Sequence, residues 1–394
     1  MSGVAETGQK PPYTGLKAIE LAEDVGGEFL GRMLAEMGAE VTKVEPPQGS
    51  PTRAIGPFVQ GQEGPDASLN FWYYNTDKRS LVVAPEATAA RLADLLADAD
   101  VLIVSLQPAR QAALGLDLNA IAAANPKLIV VSMTPYGLTG PWKDYAPSNL
   151  TAIAGGGPLM MCGYDDHAIP PVNPGGDQAY HTSAAFGHIA VLAALLDRQQ
   201  TGLGQVIDLS MHSANALNTE LGNPYWFYNG VNVQRQTCRH AQPVMTQPAM
   251  FQCADGSYVY YTLILADQHS WKILVGWMDE MGMAAMLTEP EFSDVVHRQQ
   301  HMGEIQELVE CFFLIQDGHE AYLEGQKRGL PIGIVNAPEE LLEDEHLRER
   351  AFFVPVDTGT VAGTVLFPGD SYRFSAFSAV PKQRAPRLGE HGGT

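Results

Sequence analysis

Asp177 stands between a glycine pair and a long apolar stretch. Residues 173–205 read NPGGDQAYHTSAAFGHIAVLAALLDRQQTGLGQ. A carboxylate in that place has two uses. It can cap the helix that follows by accepting its first free N–H groups. It can also be a reactive group, because a helix N-terminus favours the ionised form. Gly175 and Gly176 would let backbone N–H groups approach a reacting carbonyl and steady its oxyanion. A nucleophilic carboxylate divides one difficult acyl exchange into several easier ones. Residue types alone leave cap and nucleophile both open.

Other chemistry is sparse. Cys162, Cys238, Cys253 and Cys311 form no CxxC pair, and the 11 histidines show no HExxH spacing, so no metal site is expected. The stretch EDVGGEFLG (23–31) has glycines at the wrong spacing for a dinucleotide fingerprint, and there is no GxxxxGK[ST] loop. Nicotinamide, flavin and ATP are therefore not expected cofactors. The formal net charge of -21 argues against nucleic acid. A small polyanion could still meet a local basic patch. No uninterrupted apolar run reaches the ~18 residues of a membrane span, and the start lacks a signal pattern, so a cytoplasmic protein without membrane attachment is expected.

The elements that must position Asp177 alternate between strand and helix. The pattern predicts strands at 16–22, 39–45, 80–84, 101–106, 127–137 and 205–209, with helices at 27–38, 85–99, 118–126 and 181–199 and another helix after the 205–209 strand. Such alternation predicts an α/β fold with a mostly parallel sheet covered on both faces. Ligands would sit beyond the strand carboxyl ends. Residues 222–247 read as a connection, 248–264 as a hairpin about Asp255-Gly256, and 267–285, 300–314 and 318–328 as helices.

Several stretches together resemble the class III CoA transferases, a family that includes formyl-CoA transferase, carnitine CoA-transferase and alpha-methylacyl-CoA racemase. They are GLKAIELAEDVGGEFLGRMLAEMGAEVTKVEPPQGSPTR (15–53), NTDKRSLVV (75–83), NPKLIVVSMTPYGLTGPW (125–142), GGDQ (175–178), TGLGQVIDLSM (201–211), FQCADGSYVYY (251–261), GLPIGIVNAPEELLEDEHLRERAFF (329–353) and APRLGEH (385–391). They run in order along nearly the whole chain. The resemblance implies a large Rossmann-like CoA-binding domain from 1–220 plus 330–394 and a smaller α+β domain at 221–329. It also implies two interlocked chains, as a homodimer or with a homologous subunit.

By the same resemblance Asp177 is the nucleophile. It would pass CoA from an acyl-CoA to a small carboxylic acid through an aspartyl anhydride and an aspartyl-CoA thioester. Lys43, Arg53, Lys78 and Arg79 would lie along CoA, whose phosphates call for cations. The 105–116 loop would touch it too. There Ser105 and Leu106 replace the family's Asn-Phe pair, and Ala113 stands where an arginine is expected, with Arg110 nearby. The racemase branch needs two acid/base groups. At its His-Asp positions this chain has Pro147 and Ser148, which favours transfer over racemisation. A CoA-binding partner subunit without chemistry is the other alternative. Val25 stands where formyl-CoA transferase carries a glutamine, and QPVMTQP (242–248) replaces a glycine-rich flap, so oxalate and formate are not the expected substrates. Tyr225, Trp226, Phe227 and Tyr228 could line a larger acyl pocket.

Overall fold

The computed structural model describes residues 9–219, 221–263, 265–377 and 380–392. The chain packs as two units. One comprises Met1–Pro158, Pro174–Thr219 and Asp344–Thr394; the other comprises Leu159–Asn173 and Glu220–Glu343.

The first unit is built on six parallel strands: β1 (Lys17–Ala22), β2 (Glu40–Glu45), β3 (Lys78–Val82), β4 (Val101–Ser105), β5 (Ile129–Thr134) and β6 (Val206–Ser210). Their order is β3-β2-β1-β4-β5-β6. All five pairings are parallel. This is the doubly wound arrangement, in which the strand order reverses beside β1. Successive side chains feed opposite faces. Leu102 and Val104 of β4 join one core layer, whereas Val101 and Ile103 join the other. Because both faces are covered, β4 and β5 are buried along their whole length and largely apolar rather than alternating.

The helices are α1 (Val25–Glu36), α2 (Leu69–Asn75), α3 (Thr88–Leu96), α4 (Pro108–Ala113), α5 (Leu118–Ala124), α6 (Asn149–Gly155), α7 (Gln178–Thr201) and α8 (Met211–Ala216). Helix α1 packs on α7 through Leu30, Leu34, Ala184 and Val191. A Cβ on Gly187 would lie 3.1 Å from Leu30 Cδ2, so the glycine permits the close approach. Three of these helices, α2, α4 and α6, lie outside the predicted elements. The first strand-to-helix turn opens α1 two residues earlier than predicted, because Asp24 caps it through Gly27 N.

The second unit holds an antiparallel sheet of Met250–Gln252, Tyr258–Tyr261 and Ile332–Ile334. Helices Gln268–Glu280, Met302–Leu314 and Gly318–Lys327 surround a core of Phe251, Trp271, Trp277, Phe312 and Phe313. The predicted boundary at 330 moves to 344, because the strand at 332–334 pairs with Tyr258–Tyr261. Residues 159–173 belong with this unit as well. Cys162 bridges to Gln236, and Asp165 binds Arg239 at 2.9 Å. The stretch read as a connection contains a helical segment at Tyr225–Asn229, whose Trp226, Phe227 and Tyr228 are exposed.

Candidate active site

Asp177 occupies the N-cap position of α7, yet its side chain makes no capping hydrogen bond. Only its backbone oxygen serves the helix, accepting from His181 N at 2.9 Å. Asn149 Oδ1, at the start of α6, accepts from Ala179 N at 2.9 Å instead. The Asp177 carboxylate is thus left half-buried at the positive end of a 24-residue helix, with the capping task done by another residue. Gly176 before it has φ +77°, a left-handed conformation that suits glycine. Gln178 Nε2 donates to Gly175 O at 3.1 Å.

Three further groups feel the charge of this carboxylate. Burial raises the Tyr74 and Tyr180 phenols above their ordinary range, and the Asp177 charge adds to the rise in both. Burial lowers the His181 imidazole, although Asp177 opposes the change. Tyr180 also touches the β1–α1 loop. A Cβ on Gly26 would lie 3.0 Å from its Cδ1. In that loop Asp24 accepts from Gly27 N at 2.9 Å and from Ser105 Oγ at 2.6 Å. Desolvation pushes the Asp24 carboxyl up to about 6 despite these bonds.

The next residue back, Glu23, lines a cavity of about 690 Å³ with Pro46, Gly49, Arg53, Pro65 and Arg110. The cavity opens beyond the carboxyl ends of β1, β2 and β4. The β1–α1 segment therefore carries Glu23 on the cavity wall and, three residues on, Gly26 against Tyr180, itself three residues from Asp177.

The predicted cations separate into distinct environments. Lys43 and Lys78 are corrected: neither is free to meet a phosphate. Lys43 is fully buried, with Nζ 3.0 Å from Glu20 Oε1, 2.8 Å from Glu28 Oε1 and 3.0 Å from Ala22 O. Burial opposes its charge, but the carboxylates outweigh it and raise its pKa. Lys78 binds Glu20 Oε2 at 2.8 Å, Glu28 O at 2.6 Å and Asn75 Oδ1 at 2.9 Å. There desolvation wins and lowers the pKa. Lys43 lies on the inner strand β2 and Lys78 opens the edge strand β3, and both ammonium groups end in a buried charge cluster with Glu20 and Glu28.

Arg53 is also buried and is held by Glu45, with Nε 2.7 Å from Oε2 and Nη2 2.8 Å from Oε1. Its guanidinium lies 3.8 Å over the Phe71 ring. It nevertheless forms part of the cavity wall. Arg110 reaches the same wall and pairs with Glu23 at 2.9 Å. Arg79 is exposed but is not a wall residue. Ser105 and Leu106 are buried; Ser105 is engaged by Asp24, and Leu106 belongs to the core. Residue types and spacing pointed to Asp177 but missed Asn149, Tyr74 and Tyr180. His181, one helical turn from Asp177, was missed as well, because a histidine on a long apolar helix reads as a packing residue.

Comparison with known proteins places this geometry. The model of CoA-transferase family III matches residues 13–392. Succinyl-CoA:(R)-benzylsuccinate CoA-transferase subunit BbsE of Thauera aromatica is 29% identical over 96% of this chain and 92% of its own length. Succinate–glutarate CoA-transferase of Agrobacterium fabrum is 28% identical over 97% and 94%. Among solved structures, a CAIB/BAIF family protein from Brucella suis aligns with a TM-score of 0.83, 26% identity and 98% of both chains covered.

Proposed function

This chain belongs to CoA-transferase family III and is an enzyme of that class, and from that premise we propose that Asp177 carries the exchange covalently. The Asp177 carboxylate attacks the thioester carbonyl of an acyl-CoA and gives a mixed anhydride plus the CoA thiolate. The thiolate then attacks the aspartyl carbonyl, releases the donor acid and leaves an aspartyl-CoA thioester. The acceptor acid repeats the steps in reverse. Overall one thioester is exchanged for another, so no nucleotide is consumed. The observation that carries this reading is the carboxylate left without a capping bond, at the end of a long helix, because Asn149 takes that task.

The remaining residues have supporting roles. The N–H groups at Gly175 and Gly176 are proposed donors to the developing oxyanions. CoA is proposed to lie in the cavity beside Arg53 and Arg110, with its pantetheine passing the 22–26 loop toward Asp177. Arg79 is exposed enough to meet an outer phosphate. The relatives' names point to succinyl-CoA as donor and dicarboxylic acids as acceptors. Racemisation is not favoured. Pro147 holds no proton, and Ser148 is occupied in capping α6 through Thr151 N at 3.0 Å.

Two chains are proposed to assemble, as a homodimer or with a homologous subunit. One relative is itself named as a subunit. Mass spectrometry after mixing the protein with succinyl-CoA and hydroxylamine tests the proposal. A hydroxamate or CoA adduct on the Asp177 peptide is expected. Tight CoA binding without an adduct would instead mark a partner subunit lacking its own chemistry.

A further inference from the structure

Tyr74 and His181 form a polar pair beside Asp177 that the described reaction has not used. Tyr74 lies near the end of α2, and His181 lies one turn beyond Asp177 on α7. Residues four apart share a helix face, so Asp177 and His181 line the same stripe. Tyr74 Oη is 2.7 Å from His181 Nε2. Phe29 of α1 covers the imidazole at 4.7 Å and meets the Tyr74 ring edge-on at 5.9 Å. Three helices thus lock both side chains in place.

Electrostatics agrees with this geometry. The phenol keeps its proton and the imidazole stays neutral at neutral pH, since burial acts on both in those directions. The pair therefore offers a hydrogen-bond donor without a positive charge. An arginine or lysine in that place would form an ion pair with Asp177 and blunt its nucleophilicity.

We propose that Tyr74 is a further catalytic residue, whose hydroxyl donates to the oxygen that becomes negative when Asp177 adds to the thioester carbonyl. His181 is its positioning residue. With Nε2–H donating to the phenol oxygen, the phenol hydrogen turns away from the imidazole and is free to meet the carbonyl oxygen. As the Asp177 oxygen forms its bond to that carbon, the carbonyl π pair moves onto the carbonyl oxygen. Tyr74 Oη–H stabilises it, and collapse of the adduct expels the CoA thiolate. No proton is transferred. The inference rests on Asp177 as nucleophile.

The test is the rate of Asp177 adduct formation in a single turnover with succinyl-CoA, read beside CoA affinity and thermal midpoint. Tyr74→Phe keeps the ring and removes the donor. It is expected to slow adduct formation about 100-fold, in line with loss of one oxyanion donor, with CoA affinity and midpoint unchanged. His181→Leu should cost about 10-fold by releasing the phenol. His181→Gln, which retains a donor near the Nε2 position, should recover most of it. Tyr74→Phe combined with His181→Leu should be no slower than Tyr74→Phe alone. A Tyr74→Phe protein that forms the adduct at the wild-type rate overturns the role. A rate loss matched by lost CoA affinity or a lowered midpoint overturns it too, by showing a structural pair. If the wild-type protein forms no adduct, the nucleophile reading fails and takes Tyr74 with it.

Discussion

At the scale of single residues, two carboxylates show how surroundings set a role. Asp177 has a helix N-terminus and no capping bond. Replacing it with Asn keeps the shape and removes the proposed nucleophile. Exchange between succinyl-CoA and a dicarboxylic acid, followed by chromatography, should fall at least ~10³-fold, a loss typical of deleting a group that reacts covalently. Glu45 is the opposite case. It is buried and accepts from Arg53 Nε and Nη2, Ser80 Oγ at 2.7 Å and Ser50 N at 3.0 Å. Burial alone would raise its carboxyl, but Arg53, Lys43 and Ser80 together hold it down to about 2. A carboxyl depressed in the fold stabilises it above the ordinary carboxylate range. That contribution is lost as pH falls toward about 2. Melting curves across that range should show the loss in the wild type and a weaker slope in Glu45→Gln. At neutral pH Glu45→Gln should cost about 3–5 kcal/mol, because Arg53 is left buried with half its partner gone.

At the scale of elements, the start of α1 after β1 is a tightly packed place. A Cβ on Gly27 would fall 2.4 Å from Ser105 Cβ and 2.8 Å from Ala22 Cβ. Helix α1 can approach the ends of β1 and β4 only because Gly27 has no side chain. Gly27→Ala should destabilise by about 1–3 kcal/mol through overpacking and displace Asp24 and Ser105. Gly276 offers the contrast. It lies within the helix Gln268–Glu280, and a Cβ there meets nothing within 4 Å. Gly276→Ala should raise stability by about 0.5–1 kcal/mol. Denaturant titration of both variants would separate the two signs.

At the scale of the whole molecule, α7 has two unlike faces. Ala184 and Val191 enter the core, whereas Ile189, Leu192 and Leu196 are 63%, 44% and 54% exposed. By length and composition the helix could cross a membrane, a feature the search for uninterrupted apolar runs did not reveal. Its packing against α1, β5 and α8 explains only the buried face. A contiguous exposed apolar stripe is uncommon on a free monomer surface. Leu196→Asp combined with Ile189→Asp should shift light-scattering mass from the proposed two-chain assembly to one chain. An unchanged mass would detach this face from assembly.

The order of the six strands and of α1, α3, α5, α7 and α8 in the first unit was legible from the hydrophobic periods, whereas the short α2, α4 and α6 were not. Runs such as VLIVS and IVVSMT could only be strands buried on both faces. The nucleophile candidate was legible as well, since a carboxylate after a glycine pair and before a long helix is a local pattern. Local pattern could not choose between cap and reactive group. Asn149, 28 positions earlier, favours the reactive group: its Oδ1 accepts from Ala179 N and leaves the Asp177 carboxylate without a capping bond. Nor could it assign the lysines. Lys43 and Lys78 look like solvated cations in their own segments, and only sheet pairing turns both toward Glu20 and the start of α1. A charge is named by its residue, but whether it meets water or a buried carboxylate is decided by chain segments far away in sequence. Tertiary structure settled that environment, and with it which charges can still meet a ligand.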